Sequence, residues 1–395
     1  MHLATVYRSA NSFASATNAM KSNRPLHSLK PYCRCLRWCA VVLLSALTAG
    51  CGGGNTSSVA TCTAAQVQAL EAAMNTQLAQ AVSEVDFSFA VERQDGRRYT
   101  FNRGASTLQT VYESASTSKL VSAVIIMRLV EQGYLMLSAK PQDLIQSWPI
   151  ASSDPLYGMT LAHLMSFTSG LTVEPPCLND PNSDLESCVS SIANTNAAKG
   201  ITAGSQFFYA ATHQDVAALM AVKARRVASW QDVFAEFKAQ TGVFPTSTFD
   251  IPSLVNPRIA GGMHFTGEEY LAFLRALKAG SLLNAASMTQ MLADYTASVP
   301  IVYSPIFSGI GGGPGLGEDW HFGFGLLHEC QSATFNCVVG ARVSSPGALG
   351  SYPFWDRSKN YTGIVVRQGV FGTLPAGILI ERTVQPTVDQ WAACK

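Results

Sequence analysis

Charge is scarce in this chain: of 395 residues 13% are charged, against 47% hydrophobic. Acidic residues are missing altogether from residues 1–50, which hold six basic ones, Arg8, Lys21, Arg24, Lys30, Arg34 and Arg37. Setting those six aside leaves 21 basic residues against 26 acidic, so the body is net negative by 5. That excludes the basic footprint of a nucleic-acid binder. Apolar length is also short. The run Trp38 to Ala49 is too brief to cross a bilayer comfortably. No two cysteines stand in a C-x-x-C pair, which argues against a zinc site. The glycine-rich stretch Gly309 to Gly317 lacks the Lys-Ser/Thr of a phosphate loop, and reads instead as a mobile rim. Gly and Pro are at ordinary globular levels, so wholesale disorder is excluded. No internal repeat is visible.

What is present begins with an export signal. A basic leader, a short apolar run and small residues before a cut have that form. The expected organisation is a signal over 1–50, a tether over 51–61 and a folded domain over 62–395. Leu47-Thr48-Ala49-Gly50-Cys51 resembles the lipobox of bacterial lipoproteins. That resemblance implies acylation of Cys51 and a lipid anchor in the bacterial cell envelope, periplasmic or outer-membrane. Gly52-Gly53-Gly54-Asn55 would follow as a flexible tether. An ordinary secretory signal cut nearby is the alternative.

The body keeps six cysteines, Cys62, Cys177, Cys188, Cys330, Cys337 and Cys394. An even count in an exported chain predicts disulfides, with several connectivities open. Short loops favour Cys177 with Cys188 and Cys330 with Cys337. Cys62 then remains for Cys394, tying the two ends of the domain.

Periodicity places a helix over Ala64 to Val82, with Thr63 as N-cap. Strands are expected at Phe87–Val91 and Tyr99–Phe101, joined by the turn Gln94-Asp95-Gly96. Ser116 to Gly133 reads as a buried helix, apolar on nearly all sides. Pro141 to Gly204 reads as loop and short helix. Phe208–Ala228 and Glu268–Gly280 read as helices. Four later runs look strand-like: Gly323–His328, Val338–Val343, Tyr361–Arg367 and Ala376–Ile380. The fold class is therefore mixed α/β (α+β): an antiparallel sheet flanked by helices, with an inserted mostly helical region.

The chemistry starts at Ser116-Thr117-Ser118-Lys119. A serine hydroxyl is a poor nucleophile without an adjacent base. Residues three apart share a helix face, so Lys119 stands one turn above Ser116. Burial lowers a lysine's pKa, and a neutral amine accepts the serine proton. The tetrad alone is a weak signal. Its place at the start of an apolar helix strengthens it, because burying a lysine without function is costly.

Glu113 to Leu137 resembles the nucleophile helix of the class C β-lactamase and penicillin-binding-protein superfamily, including its esterase branch. Met159-Thr160-Leu161-Ala162-His163-Leu164-Met165-Ser166-Phe167-Thr168-Ser169-Gly170-Leu171 resembles a second family segment, at a fitting distance after the serine. The likeness implies a β-lactamase/transpeptidase-like fold over roughly 62–395. It implies an acyl-enzyme on Ser116, with no metal and no cofactor. The family's Tyr-x-Asn motif maps onto Tyr209, which would relay protons beside Lys119. Ala211 stands where the asparagine belongs, and His213, on the same helical face, is a candidate for its positioning role. The third motif, Lys-Thr-Gly or His-x-Gly, maps best onto Ser345-Pro346-Gly347, with Ala348 supplying the second oxyanion N–H. Lys278-Ala279-Gly280 matches by spelling, but it ends a helix, where C-cap chemistry explains it.

Loss of the third-motif cation implies an uncharged acyl group. The expected partner is a small-molecule ester or amide, and not nucleic acid. Two alternatives stay open: a β-lactamase or D-amino-acid peptidase on cell-wall substrates, and a non-catalytic envelope binding lipoprotein on the same fold. Trp320, Phe322, Tyr352, Phe354 and Trp355 are candidates to line an apolar cleft or to pack between sheet and helices. For His321 and His328 packing is the default.

Overall fold

The computed structural model describes residues 62–394. The expected signal over 1–50, the tether over 51–61 and Cys51 lie outside the described residues.

The first helix, Ala64–Gln80, starts as expected. Thr63 accepts from the Gln66 N–H, and the Gln66 side chain accepts in return from the Thr63 N–H. Strands β1 (Phe87–Glu92) and β2 (Arg98–Asn102) form the expected hairpin. Five short strands follow: β3 (Val111–Glu113), β4 (Phe207–Phe208), β5 (Thr248–Phe249), β6 (Met263–Thr266) and β7 (Ile301–Tyr303). They build a small sheet of order β3-β6-β5 and a parallel pair β4-β7. The last five are β8 (His321–Phe322), β9 (Leu327–His328), β10 (Arg342–Ser344), β11 (Tyr352–Asp356) and β12 (Tyr361–Arg367). The main sheet is seven-stranded, in the order β2-β1-β12-β11-β10-β9-β8. Every pairing in it is antiparallel.

Alternation along the central strands divides the core. Phe87, Phe89 and Val91 of β1, with Val365 of β12, enter one apolar cluster. Ala90, Ile364 and Val366 enter the other. Successive side chains of a strand point to opposite faces, so a strand covered on both sides reads as unbroken apolar sequence. Helix Ala64–Gln80 and the C-terminal helix Leu374–Ala393 cover the first face. Helices Ser118–Glu131, Thr212–Arg225, Trp230–Thr241 and Gly267–Lys278 build the second.

Several elements differ from the sequence expectation. Ala376–Ile380 is not a strand but the first turns of Leu374–Ala393. A short apolar run does not reveal its period. Here it continues to Val384, Val388 and Trp391, all buried, so length decides for helix. The Val338–Val343 run narrows to Arg342–Ser344, because Val338 and Val339 are exposed in the turn after Cys337. Gly323–His328 bends, so that only its end belongs to a strand, β9. Phe208 belongs to a strand, and the following helix starts at Thr212. Helix Trp230–Thr241 was not expected, although Ser229 and Asp232 form a capping box before Trp230, Val233, Phe234 and Phe237. Trp320, Phe322, Tyr352 and Phe354 pack in the cluster beneath the two terminal helices, and Trp355 packs against the opposite one.

The sulfurs of Cys62 and Cys394, of Cys177 and Cys188, and of Cys330 and Cys337 are bonded in pairs. The first pair joins the start of the first helix to the end of the last. Among the described residues no helix is long and apolar enough to cross a membrane.

Candidate active site

The helical stretch that carries Ser116 and Lys119 begins under backbone strain. Ala115 has φ +40, in the left-handed region that costs a non-glycine residue about 1–3 kcal/mol. From it a single 3-10 turn, Ala115–Thr117, runs into the α-helix Ser118–Glu131. Ser116 and Lys119 therefore sit one turn apart on a continuous helical stretch. Lys119 Nζ donates to Ser116 Oγ at 3.0 Å and to the Ala260 carbonyl at 2.9 Å. It also lies 4.7 Å from the centre of the Tyr209 ring.

Burial sets the protonation of this group. Lys119 is 4% exposed, and desolvation pulls its pKa down to about 7. The nearby charges of Glu174 and Asp215 favour the ammonium, and that of Arg258 disfavours it. Burial drives the Tyr209 phenol in the opposite direction, well above its ordinary value, and Ser116 beside it offsets only part of that rise. Near neutral pH the lysine is thus poised to lose its proton, while the tyrosine keeps its own.

Two backbone donors complete the arrangement. Ser116 occupies the second position of its 3-10 turn, where an N–H has no intrahelical acceptor, and no side chain caps that turn. Ala348 follows β10, and its N–H donates to no acceptor among the described residues. Its carbonyl is held by the Gly372 N–H at 2.9 Å. Gly347 explains the close approach of this turn to the Ser114–Thr117 backbone. A Cβ there would stand 2.6 Å from the Ser114 carbonyl oxygen.

Ser345 does not face the cleft. Its hydroxyl donates to the Ser116 carbonyl at 3.2 Å and so fastens the Ser116 turn to the sheet. His213 is also set back, and does not take the missing asparagine's place beside Lys119. Its ring stacks on Phe167, with 5.0 Å between centroids. One nitrogen lies 2.7 Å from Ser169 Oγ and the other 2.8 Å from the Phe208 carbonyl. A carbonyl only accepts, so Nε2 carries the proton and Nδ1 accepts from the serine. Burial holds the imidazole neutral by lowering its pKa to about 3. His213 thereby braces the backbone just before Tyr209.

The cleft in front of Ser116 has about 470 Å³ of internal space. Phe208, Tyr303, Ile310, Leu349 and Phe371 give it an apolar wall. Ile310 belongs to the glycine-rich stretch, in which Gly309, Gly313 and Gly315 lie close against neighbouring backbone while Gly312 and Gly317 face open space. A Cβ on Gly313 would stand 2.0 Å from the Gly372 carbonyl oxygen. The sequence reading missed the polar wall. Arg258 donates to Glu174 at 2.9 Å and to Asn179 at 2.9 Å. Glu174 also accepts from the Ala211 N–H, at the start of helix Thr212–Arg225. The only signal in sequence was Glu174's place just after the Thr168-to-Leu171 segment. Arg258 lies about 84 residues further on, in a loop without a motif. No His, Cys, Asp and Glu group able to hold a metal occurs among the described residues.

Fold and site together define a serine hydrolase. A family model described as Beta-lactamase matches residues 88–376, and the chain belongs to that family. Penicillin-binding protein 4 of Amycolatopsis lactamdurans is 31% identical over 67 residues, which span 17% of this chain and 18% of that protein. Three solved structures share the fold at lower identity. The hydrolase EstCE1, described as having promiscuous acyltransferase activity, superposes with a TM-score of 0.64 at 17% identity, over 81% of this chain and 98% of its own. A penicillin-binding protein from Bacillus halodurans gives 0.58 at 15%, over 81% and 98%. A D-stereospecific amidohydrolase from Streptomyces gives 0.58 at 16%, over 80% and 98%.

Proposed function

We propose that the protein hydrolyses an ester or amide with an uncharged, largely apolar acyl group, through an acyl-enzyme on Ser116. The observation that carries this is the buried amine of Lys119, 3.0 Å from Ser116 Oγ and with its pKa lowered to about 7. The neutral amine takes the Ser116 proton as the oxygen attacks the carbonyl carbon. The N–H groups of Ser116 and Ala348 receive the developing oxyanion. Tyr209, held as a phenol, gives its proton to the leaving oxygen or nitrogen and is reloaded from the Lys119 ammonium. Water then attacks the acyl carbon and yields its proton to the amine. The acid leaves, and Ser116 regains its hydrogen.

The apolar wall supports the substrate class. So does the orientation of Ser345, which stands in the place of the family's cation and points away from the cleft. Arg258 is already bound to a carboxylate, so it is not left free to receive one from a ligand.

A fluorophosphonate probe tests the nucleophile. Labelling of the wild type and none of Ser116→Ala is expected. No labelling of the wild type, or equal labelling of both, would leave a non-catalytic binding protein. Nitrocefin and a series of nitrophenyl esters, assayed side by side, test the substrate class. Faster turnover of nitrocefin would favour a β-lactamase. Anchoring to a bacterial envelope membrane through Cys51 belongs to the same proposal. Fractionation of the wild type and Cys51→Ser checks it, with release of the variant expected.

A further inference from the structure

We propose that Asp215 is a positioning residue for Lys119, holding the Ile259–Ala260 backbone so that the Ala260 carbonyl meets the lysine amine. This rests on the reading of Lys119 as the base. Asp215 lies on helix Thr212–Arg225 and is 1% exposed. Its Oδ1 accepts from the Ile259 N–H at 2.8 Å. The next residue's carbonyl takes Lys119 Nζ at 2.9 Å. The Ile259 carbonyl is held from the other side by Ser118 Oγ and Ser122 Oγ, each at 3.0 Å. Gln214, the neighbour of Asp215, donates to the backbone carbonyl of Lys119 at 2.9 Å. Two consecutive residues of one helix thus fix the lysine at its backbone and at its amine.

Anchoring one N–H does not require a carboxylate, since an amide oxygen would serve. Among the described residues the second oxygen, Oδ2, is buried without a partner, which disfavours the ionised form. The charged groups facing Asp215 are Lys119, Arg258 and Glu174. The two cations favour its ionised form, whereas Glu174 and burial oppose it, and its pKa is raised to about 7. Its negative charge in turn favours the Lys119 ammonium, the form reached once the serine proton has moved. Asp215 replaces neither Ser116 nor Lys119. It directs one and moderates its charge.

The test compares kcat and KM for a nitrophenyl ester across about pH 5 to 9 in the full chain, Asp215→Asn and Asp215→Val. Asparagine keeps the acceptor and removes the charge. Its kcat should stay within about threefold of wild type on the alkaline side. The acid limb should move to lower pH by at most about half a unit, because Asp215, with its own pKa raised to about 7, is only partly ionised where Lys119 titrates. Valine removes the acceptor, and kcat should fall about 100-fold with KM little changed, as expected for a misplaced base. Wild-type turnover by a folded Asp215→Val, or a loss in Asp215→Asn as large as that in Asp215→Val, would overturn the proposal. If the valine variant does not fold, Asp215→Asn decides, and a kcat on the alkaline side more than about tenfold below wild type would overturn the reading of Asp215 as an acceptor. A wild type that neither turns over esters nor takes the fluorophosphonate overturns the hydrolase reading itself, and this inference with it.

Discussion

Replacing Gly347 with alanine isolates the oxyanion geometry. The backbone there lies outside the left-handed region, so alanine is not strained by conformation. The cost is steric. The new methyl would meet the Ser114 oxygen at 2.6 Å and Thr117 Cγ2 at 3.1 Å. Comfortable carbon contacts begin near about 3.5 Å, so relief needs a shift of roughly 1 Å. Ser114 cannot easily yield. Its N–H donates to the Met263 carbonyl at 2.7 Å, its hydroxyl accepts from the Met263 N–H at 3.0 Å, and its carbonyl accepts from Thr117. The β10–β11 turn must move instead, and it carries the Ala348 N–H with it. Removing one oxyanion donor costs about 10²–10³ in kcat, or about 3–4 kcal/mol. We expect Gly347→Ala to lose about that much in ester turnover, with KM little affected. Overpacking should lower stability by about 1–3 kcal/mol, read from a denaturant titration. A kcat within about threefold of wild type would refute the assignment of Ala348 to the oxyanion.

Other outcomes follow from the buried charges and the cross-links. In the proposed mechanism activity needs the neutral lysine, so kcat/KM should rise with pH through a midpoint of about 7 and be lost below it. A flat profile from pH 5 to 8 would contradict Lys119 as base. Arg342 is buried between Glu329 at 3.0 Å, Asp356 at 3.4 Å and Glu381 at 2.9 Å. Arg342→Met leaves these acids uncompensated and should cost about 3–5 kcal/mol in chemical denaturation. Burial raises Glu381 from 4.5 to about 7. Its contribution to stability is full below the unfolded value and is lost as pH rises through about 7, so Glu381→Gln should flatten that decline. Replacing Cys62 and Cys394 together by serine frees the two terminal helices and should destabilise the fold by about 2–5 kcal/mol, read as a lower Tm.

The sequence by itself determined the local features. Ser116 and Lys119 share a helix face because three residues make nearly a full turn, and this needs no tertiary contact. The first helix is equally local, since Thr63 and Gln66 cap it within one turn. The runs at β1 and β12 read as strands from sequence, but that both their faces are covered came from the packing. Where a run was short, as at Ala376–Ile380, local sequence did not separate strand from helix, and packing on the sheet chose.

Only the tertiary structure decided what surrounds the tetrad. Arg258, Glu174 and Asn179 meet across distant loops. Asp215 reaches Ile259 from another helix, and Ser345 turns its hydroxyl toward Ser116 rather than the cleft. His213 shares a helical face with Tyr209 by count, yet it packs behind that residue. Spacing along a chain fixes which neighbours one element can offer. Desolvation, which brings Lys119 near neutrality, depends on every element that closes over it, and it exists only once the chain has folded.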